Sequence, residues 1–128
     1  SEGKPYELVN ALIENATIRY DRGVFLCGWL TLDYGGTGQG FGGHVLGAKP
    51  DSKAKALDAN DTGLLAAWVN GVMMCADVEE YHKAAGRPIR VKKEPGFNGE
   101  LIGIGHFTKD IWFEPETAFA PLMEQSND

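Results

Sequence analysis

At 128 residues and a net charge of −6, the chain has room for one hydrophobic core, and it lacks the broad basic footprint that a nucleic-acid polymer would need. Two cysteines, Cys27 and Cys75, each inside an apolar run, read as buried thiols of a reducing compartment and not as a disulfide. No apolar run reaches the roughly 18 residues of a membrane span and no leader pattern opens the chain, so the expectation is a cytoplasmic protein.

In chain order, residues 1–11 read as a tail or a short helical turn. From Leu12 to Tyr20 apolar side chains fall on even positions, the signature of a half-buried strand, and Asp21-Arg22-Gly23 marks a turn. Val24 to Tyr34 is apolar on both faces and fits a central strand, with Phe25 and Trp29, like Trp68 further on, expected in the core. A glycine-rich connection over 35–43 then leads to a third strand at His44-Val45-Leu46. Gly47 to Thr62 reads as an exposed loop. Gly63 to Ala76 has a helical apolar face of Leu65, Trp68, Val69, Val72, Met73 and Ala76, with Asp61 or Thr62 available as its cap. A second short helix is predicted over 77–85. Strands follow over 88–93 and 101–107 around a turn at 94–99, then an irregular aromatic stretch over 108–114 and a helical turn over 117–124. The order βββ-αα-ββ predicts an α+β fold: about five antiparallel strands with two helices packed on one face, in a single domain whose residues 1–11 and 116–128 are peripheral.

Seventeen glycines are roughly twice the average usage of about 7%. Six of them fall in the nine positions from Gly35 to Gly43. Two reasons compete for that density: close packing against bare backbone, or an anion nest in which amide N–H groups approach phosphates. Gly38, Gly40, Gly43 and Val45 match G-x-G-x-x-G-x-V, but no helix follows for a dinucleotide fold and no kinase motifs accompany it.

Arg87, Arg90, Lys92 and Lys93 form the one local basic stretch. On a strand, Arg90 and Lys92 share a face opposite Ile89 and Val91; they either protect a sheet edge or offer Arg90 to a phosphate. His44, His82 and His106 have no metal-ligand spacing, so no metal site is expected. His106 with Asp110 could serve acid–base chemistry, but no nucleophile with a recognisable surround accompanies them. Tyr34, Phe41, Tyr81, Phe97, Trp112 and Phe113 near turns could cap the core or stack on a base, with Phe41 and Tyr81 favoured as ligand-facing and Trp112 and Phe113 as closing the core.

Three blocks carry a resemblance: 30–36 running through 40–46, Gly86-Arg87-Pro88-Ile89-Arg90-Val91, and Ile104-Gly105-His106 with Lys109-Asp110-Ile111-Trp112-Phe113. Together they resemble the first-described Thoeris anti-defence sponge family of phages. Those proteins sequester cyclic ADP-ribose isomers made by bacterial TIR-domain enzymes, and some members hold cyclic oligonucleotides. The resemblance implies a small antiparallel sheet with two helices, a homo-oligomer (dimer or higher) in the host cytoplasm, and ligand binding without cleavage or cofactor. It also implies Tyr81 as the stacking aromatic, Arg90 as the phosphate-holding arginine and the glycine segment as backbone donor. The expected ligand-binding set is therefore Gly36, Gly38, Gln39, Gly40, Phe41, Gly42, Tyr81, Arg90, His106 and Lys109, for a small anionic nucleotide. The alternatives are a phage inhibitor that docks on a host protein through an acidic surface, and a small hydrolase.

Overall fold

The structure, a computed structural model, describes residues 5–52, 63–96 and 99–126. The cap expected at Asp61 or Thr62, most of the expected loop before it, and Phe97 lie outside the described residues. The elements are β1 (Glu7–Asp21), β2 (Phe25–Asp33), β3 (Gly38–Ala48), α1 (Leu64–Ala76), a 3-10 turn (Tyr81–Ala84), β4 (Pro88–Lys93), β5 (Leu101–His106), β6 (Trp112–Phe113) and α2 (Pro115–Ser126). The strands form one antiparallel sheet in the order β3-β2-β1-β4-β5-β6, and both helices pack on one of its faces. The fold is α+β, with six strands instead of five.

β1 organises the sheet. Its first half, Glu7 to Leu12, pairs with β4, and its second half, Leu12 to Asp21, pairs with β2. Residues 7–11 of the expected tail are thus the start of the central strand. A bulge between Ile13 and Asn15 switches which residues face the helices. Ala11 and Ile13 are buried before it, whereas Leu12 lies on the open face at 47% exposure. An extra residue inverts every side chain beyond it, which is why even-position alternation misassigned Leu12.

The core is built from Ile13, Leu30, Leu32, Phe41, Ile89, Val91 and Ile104 of the sheet under Leu64, Trp68, Val72 and Cys75 of α1 and Phe119 of α2. Trp68, Val72 and Ala76 of the expected face of α1 are buried, while Leu64 and Cys75 point inward in place of Leu65, which is exposed. Residues 116–128 are not all peripheral, because Phe119 is buried against Phe113 at a centroid distance of 6.0 Å. The predicted helix over 77–85 is only the 3-10 turn: Asp77 ends α1 in a left-handed conformation (φ 59°), its N–H bonded to Met73 O.

Trp68 is fully buried. Its ring stacks on Phe41 at 5.7 Å, meets Phe113 edge-on at 5.8 Å, and lies over Gly28 and Gly42. A methyl group at Gly28 would overlap the indole. One at Gly42 would meet the main chain of Gly28 and come within 2.9 Å of the indole. Gly71 gives the same room to the Phe113 ring, and Gly105 to Trp112 on the opposite face. The glycines therefore seat aromatic rings. Overpacking such seats costs about 1–3 kcal/mol. Gly28→Ala and Gly71→Ala should each lower the unfolding free energy by about that amount in urea titration, while Gly40→Ala, where a Cβ would sit 3.7 Å from Trp29, should stay within about 0.5 kcal/mol of the parent.

Candidate functional site

The turn between β2 and β3 does not present an open nest. The Asp33 carboxylate accepts the N–H groups of Gly35 at 2.8 Å and Gly36 at 3.1 Å, and these bonds hold its carboxyl below the usual aspartate range. Tyr34 N–H donates to Thr37 O at 2.8 Å. From Gly38 the chain is already strand, registered on β2 as Gly38 opposite Asp33, Gln39 opposite Leu32, Gly40 opposite Thr31, Phe41 opposite Leu30 and Gly42 opposite Trp29. The donors expected of Gly36 are thus consumed, Gly40 lies by the Trp29 ring, and Gly42 is filled from above by Trp68. Phe41 is 4% exposed and belongs to the core, not to a ligand face.

The other expected residues are also engaged. Tyr81 Oη accepts from Trp68 Nε1 at 3.0 Å and donates to Thr17 O at 3.2 Å, so it anchors α1 to β1, and burial raises its phenol above the usual range. Arg90, His106 and Lys109 come together in one knot. Arg90 donates from Nε to His106 O and from Nη2 to Lys109 O, both at 2.7 Å, while its guanidinium lies 4.6 Å from the Trp112 ring centre. His106 Nδ1 accepts the N–H groups of Thr108 and Lys109 at 3.1 and 3.0 Å. Two donors on Nδ1 leave the neutral ring's proton on Nε2. That atom stands 3.4 Å from Asp77 Oδ2, close enough for attraction, yet it makes no hydrogen bond among the described residues. This is a fold-holding network in which the Nε/Nη2 edge of Arg90 is spent on main-chain carbonyls.

What remains is a groove of about 630 Å³ at one end of the helix-bearing face, lined by Glu7, Val9, Tyr34, Thr37, Gly38, Gln39, Lys93 and Gly96. It exists because β2 begins pairing with β1 only at Leu12, which leaves the first residues of β1 facing the Tyr34–Gln39 turn. Gly38 and Gln39 of the expected set line it; Tyr81, Arg90, His106 and Lys109 do not. Tyr34 Oη donates to Gln39 Oε1 at 3.0 Å, and burial pushes the phenol up to about 12, so it stays a donor at neutral pH. Gln39 Nε2 reaches Gly99 O at 3.5 Å. Lys93, with a side chain 8% exposed, supplies the cation. Tyr34 and Lys93 were missing from the expected ligand-binding set, although Lys93 shares its strand parity with Ile89 and Val91 and so had to point inward. A second groove, of about 690 Å³ at the end of α1, is lined by Asp77 and Glu79 with Asn70, Met73, Met74, Val78 and Ile111, and suits no anion.

The open sheet face carries two ring-and-cation clusters. Trp29, expected in the core, lies here with Arg19 5.2 Å from its centre and its Nε1 bonded to Asp21. Trp112, expected to close the core, lies here too, under Arg90 and Lys92, and Lys92 also covers Tyr6 at 4.8 Å. Both cysteines are buried, and desolvation pushes their thiols up to about 11 for Cys27, beside Asp21, and about 12 for Cys75. Thiols held protonated are poor nucleophiles. Among the described residues no three His, Cys, Asp or Glu side chains form a metal cluster, and no helix is long and apolar enough to cross a membrane.

No protein-family model, curated protein or solved structure matches the chain. Fold and site together define a small α+β protein with one glycine-seated sheet and one cation-bearing groove at its end.

Two outcomes follow from these contacts. Arg90→Lys removes the forked contact to two carbonyls and should cost about 1–3 kcal/mol in denaturant titration, without changing the affinity for any ligand of the groove. Burial holds the pKa of His44 below the usual histidine value of 6.5, with the Glu116 carboxylate partly opposing. The unfolded chain therefore takes up a proton first, and the stability His44 permits is complete above 6.5 and lost as pH falls through that value towards the folded pKa. The melting temperature should drop between about pH 7.5 and 5.5, and His44→Phe, which keeps the edge contact to Phe119, should shrink the drop.

Proposed function

We propose that the protein is a phage-type binding protein that sequesters a cyclic nucleotide signal, a cyclic ADP-ribose isomer or a cyclic oligonucleotide, and does not cleave it. The observation that carries this reading is the groove over Tyr34, Gln39 and Lys93. Its volume of about 630 Å³ falls in the range of small-molecule sites, and it combines a ring, an amide, a hydroxyl and an ammonium, the groups that a sugar, a base and a phosphate require. The choice of a cyclic nucleotide comes from the three blocks of sequence resemblance. Binding without turnover is supported by the state of the reactive groups: both thiols are held protonated and the His106 ring is committed to the turn that follows it. The groove is open on one side, so the reading includes a homo-oligomer in which a second copy adds the missing wall.

A second reading, a phage inhibitor that docks on a host protein, has one observation in its favour. Tyr6, Leu8, Leu12 and Phe107 are each more than 40% exposed; Tyr6 shares Lys92 with Trp112, and Leu12 and Phe107 line one shallow groove. Aromatic side chains and arginine are the residue types that anchor interfaces. That surface, rather than an acidic one, would make the contact.

Titration calorimetry against cyclic ADP-ribose isomers and cyclic di- and trinucleotides tests the first reading. Micromolar or tighter binding of at least one is expected, with the ligand recovered at unchanged mass after heating, and Gln39→Ala should weaken it by about tenfold. Silence towards all of them at roughly 100 μM ligand would end the reading, and co-purification of a host protein with such a silent chain would establish the second.

A further inference from the structure

We infer that the ammonium of Lys93 is the phosphate subsite of this groove, and that the carboxylate of Glu7 occupies it until a ligand phosphate takes its place. The inference rests on the groove being a nucleotide site and adds to that reading the part of the ligand it grips and the group that must leave.

Glu7 and Lys93 are direct cross-strand partners at the end of the β1–β4 ladder, and both line the groove. Lys93 Nζ has three acceptors: Gly96 O at 2.6 Å, Glu94 O at 3.3 Å and Glu7 Oε1 at 3.0 Å. The two carbonyls lie within three residues of Lys93 and orient the ammonium without neutralising it. The full negative charge comes from Glu7 alone among these three. A lysine this deeply buried is rare unless paired, so an empty groove needs that carboxylate. The two ends of the pair are unequal, because the Lys93 side chain is 8% exposed and the Glu7 side chain 47%. Glu7 can therefore rotate into water at small cost, while Lys93 cannot follow it.

An anion entering beside Thr37, Gly38 and Gln39 meets a fixed, largely buried ammonium whose one mobile partner among the described residues is a monovalent carboxylate. A phosphate or pyrophosphate brings more charge and more acceptor oxygens to the same point, and lysine binds such groups as a point charge. Two consequences separate this arrangement from an ordinary cross-strand ion pair. Neutralising Glu7 without changing its shape should improve binding of a phosphorylated ligand, and it should do nothing for the same ligand without phosphate.

The test uses the full chain, Glu7→Gln and Lys93→Met, with adenosine diphosphate, adenosine and inorganic pyrophosphate as probes in calorimetry and thermal-shift measurements. Glu7→Gln should bind adenosine diphosphate and pyrophosphate at least about fivefold more tightly than the parent and gain more melting temperature from each, with adenosine unchanged. Lys93→Met should lose the preference for adenosine diphosphate over adenosine; if it does not fold, Glu7→Gln decides alone. Equal or weaker binding of adenosine diphosphate and pyrophosphate by Glu7→Gln overturns the subsite. When that happens while the parent still binds a cyclic nucleotide, the wider reading of the groove survives. If Glu7→Gln gains pyrophosphate while no nucleotide binds the parent, the subsite stands and the nucleotide reading falls. No binding of any probe to either protein overturns the subsite, and the wider reading is then decided by the cyclic nucleotides alone.

Discussion

The rest of the structure depends on how closely Trp68 approaches the sheet. Its indole lies on the bare main chain of Gly28 and Gly42, with Phe41 stacked on it and Phe113 edge-on. Because no side chain intervenes, α1 settles low enough for the Trp68 N–H to reach Tyr81, which in turn grips the carbonyl of Thr17. One aromatic side chain thereby ties helix, 3-10 turn, central strand and edge strand together. Burying a tryptophan on this scale is among the largest single apolar contributions a small core can have. The same logic recurs with Phe113 over Gly71 and Trp112 over Gly105, so both faces of the sheet are set by rings resting on glycine.

That arrangement explains what could and could not be read from the chain. The bounds of β4 follow from alternation alone, because Ile89 and Val91 face the helices and Arg90 and Lys92 do not. The helix over 64–76 follows from its apolar spacing. The glycine segment was ambiguous because its partners are remote: nothing near Gly42 in sequence announces that Trp68 will lie on it. The density of glycine left ligand access and close packing as competing reasons; in the fold Gly42 and Gly43 make room for tryptophan rings, while Gly35 and Gly36 form the turn. Tyr81 and Arg90 were singled out as a stacking ring and a phosphate-holding guanidinium, yet the Tyr81 hydroxyl bridges the Trp68 indole and the Thr17 carbonyl, and Arg90 spends Nε and Nη2 on two carbonyls. Residue type in a sequence says what a side chain can bind, and only packing says whether it is already bound. Lys93 is the opposite case, a lysine dismissed as part of an exposed basic run although its parity with Ile89 and Val91 turned it inward.

The proposed anionic ligand and the net charge of −6 are compatible. At physiological ionic strength charges on the far surface are screened over about 8 Å, while an ammonium in a partly desolvated groove is not. Distant carboxylates slow the approach of an anionic ligand more than they weaken its final contacts. The groove itself arises from a mismatch in strand lengths: β1 runs on past the end of β2, and the turn carrying Tyr34 and Gln39 hangs beside the unpaired stretch. A groove made this way requires no insertion.

The division of β1 between two ladders also imposes an order on folding. Its second half pairs with β2 across a turn of a few residues, so the hairpin of β1 and β2, with β3 added to it, can assemble from local contacts. Its first half waits for β4, and the contact between Glu7 and Lys93 closes a loop of 86 residues. Long closures of this kind slow folding because their entropy is lost before the contacts they permit are made. The amino-terminal half of β1, including one flank of the groove, is therefore the late-forming part of the sheet, and on a ribosome it would stay unpaired until β4 had been made and released.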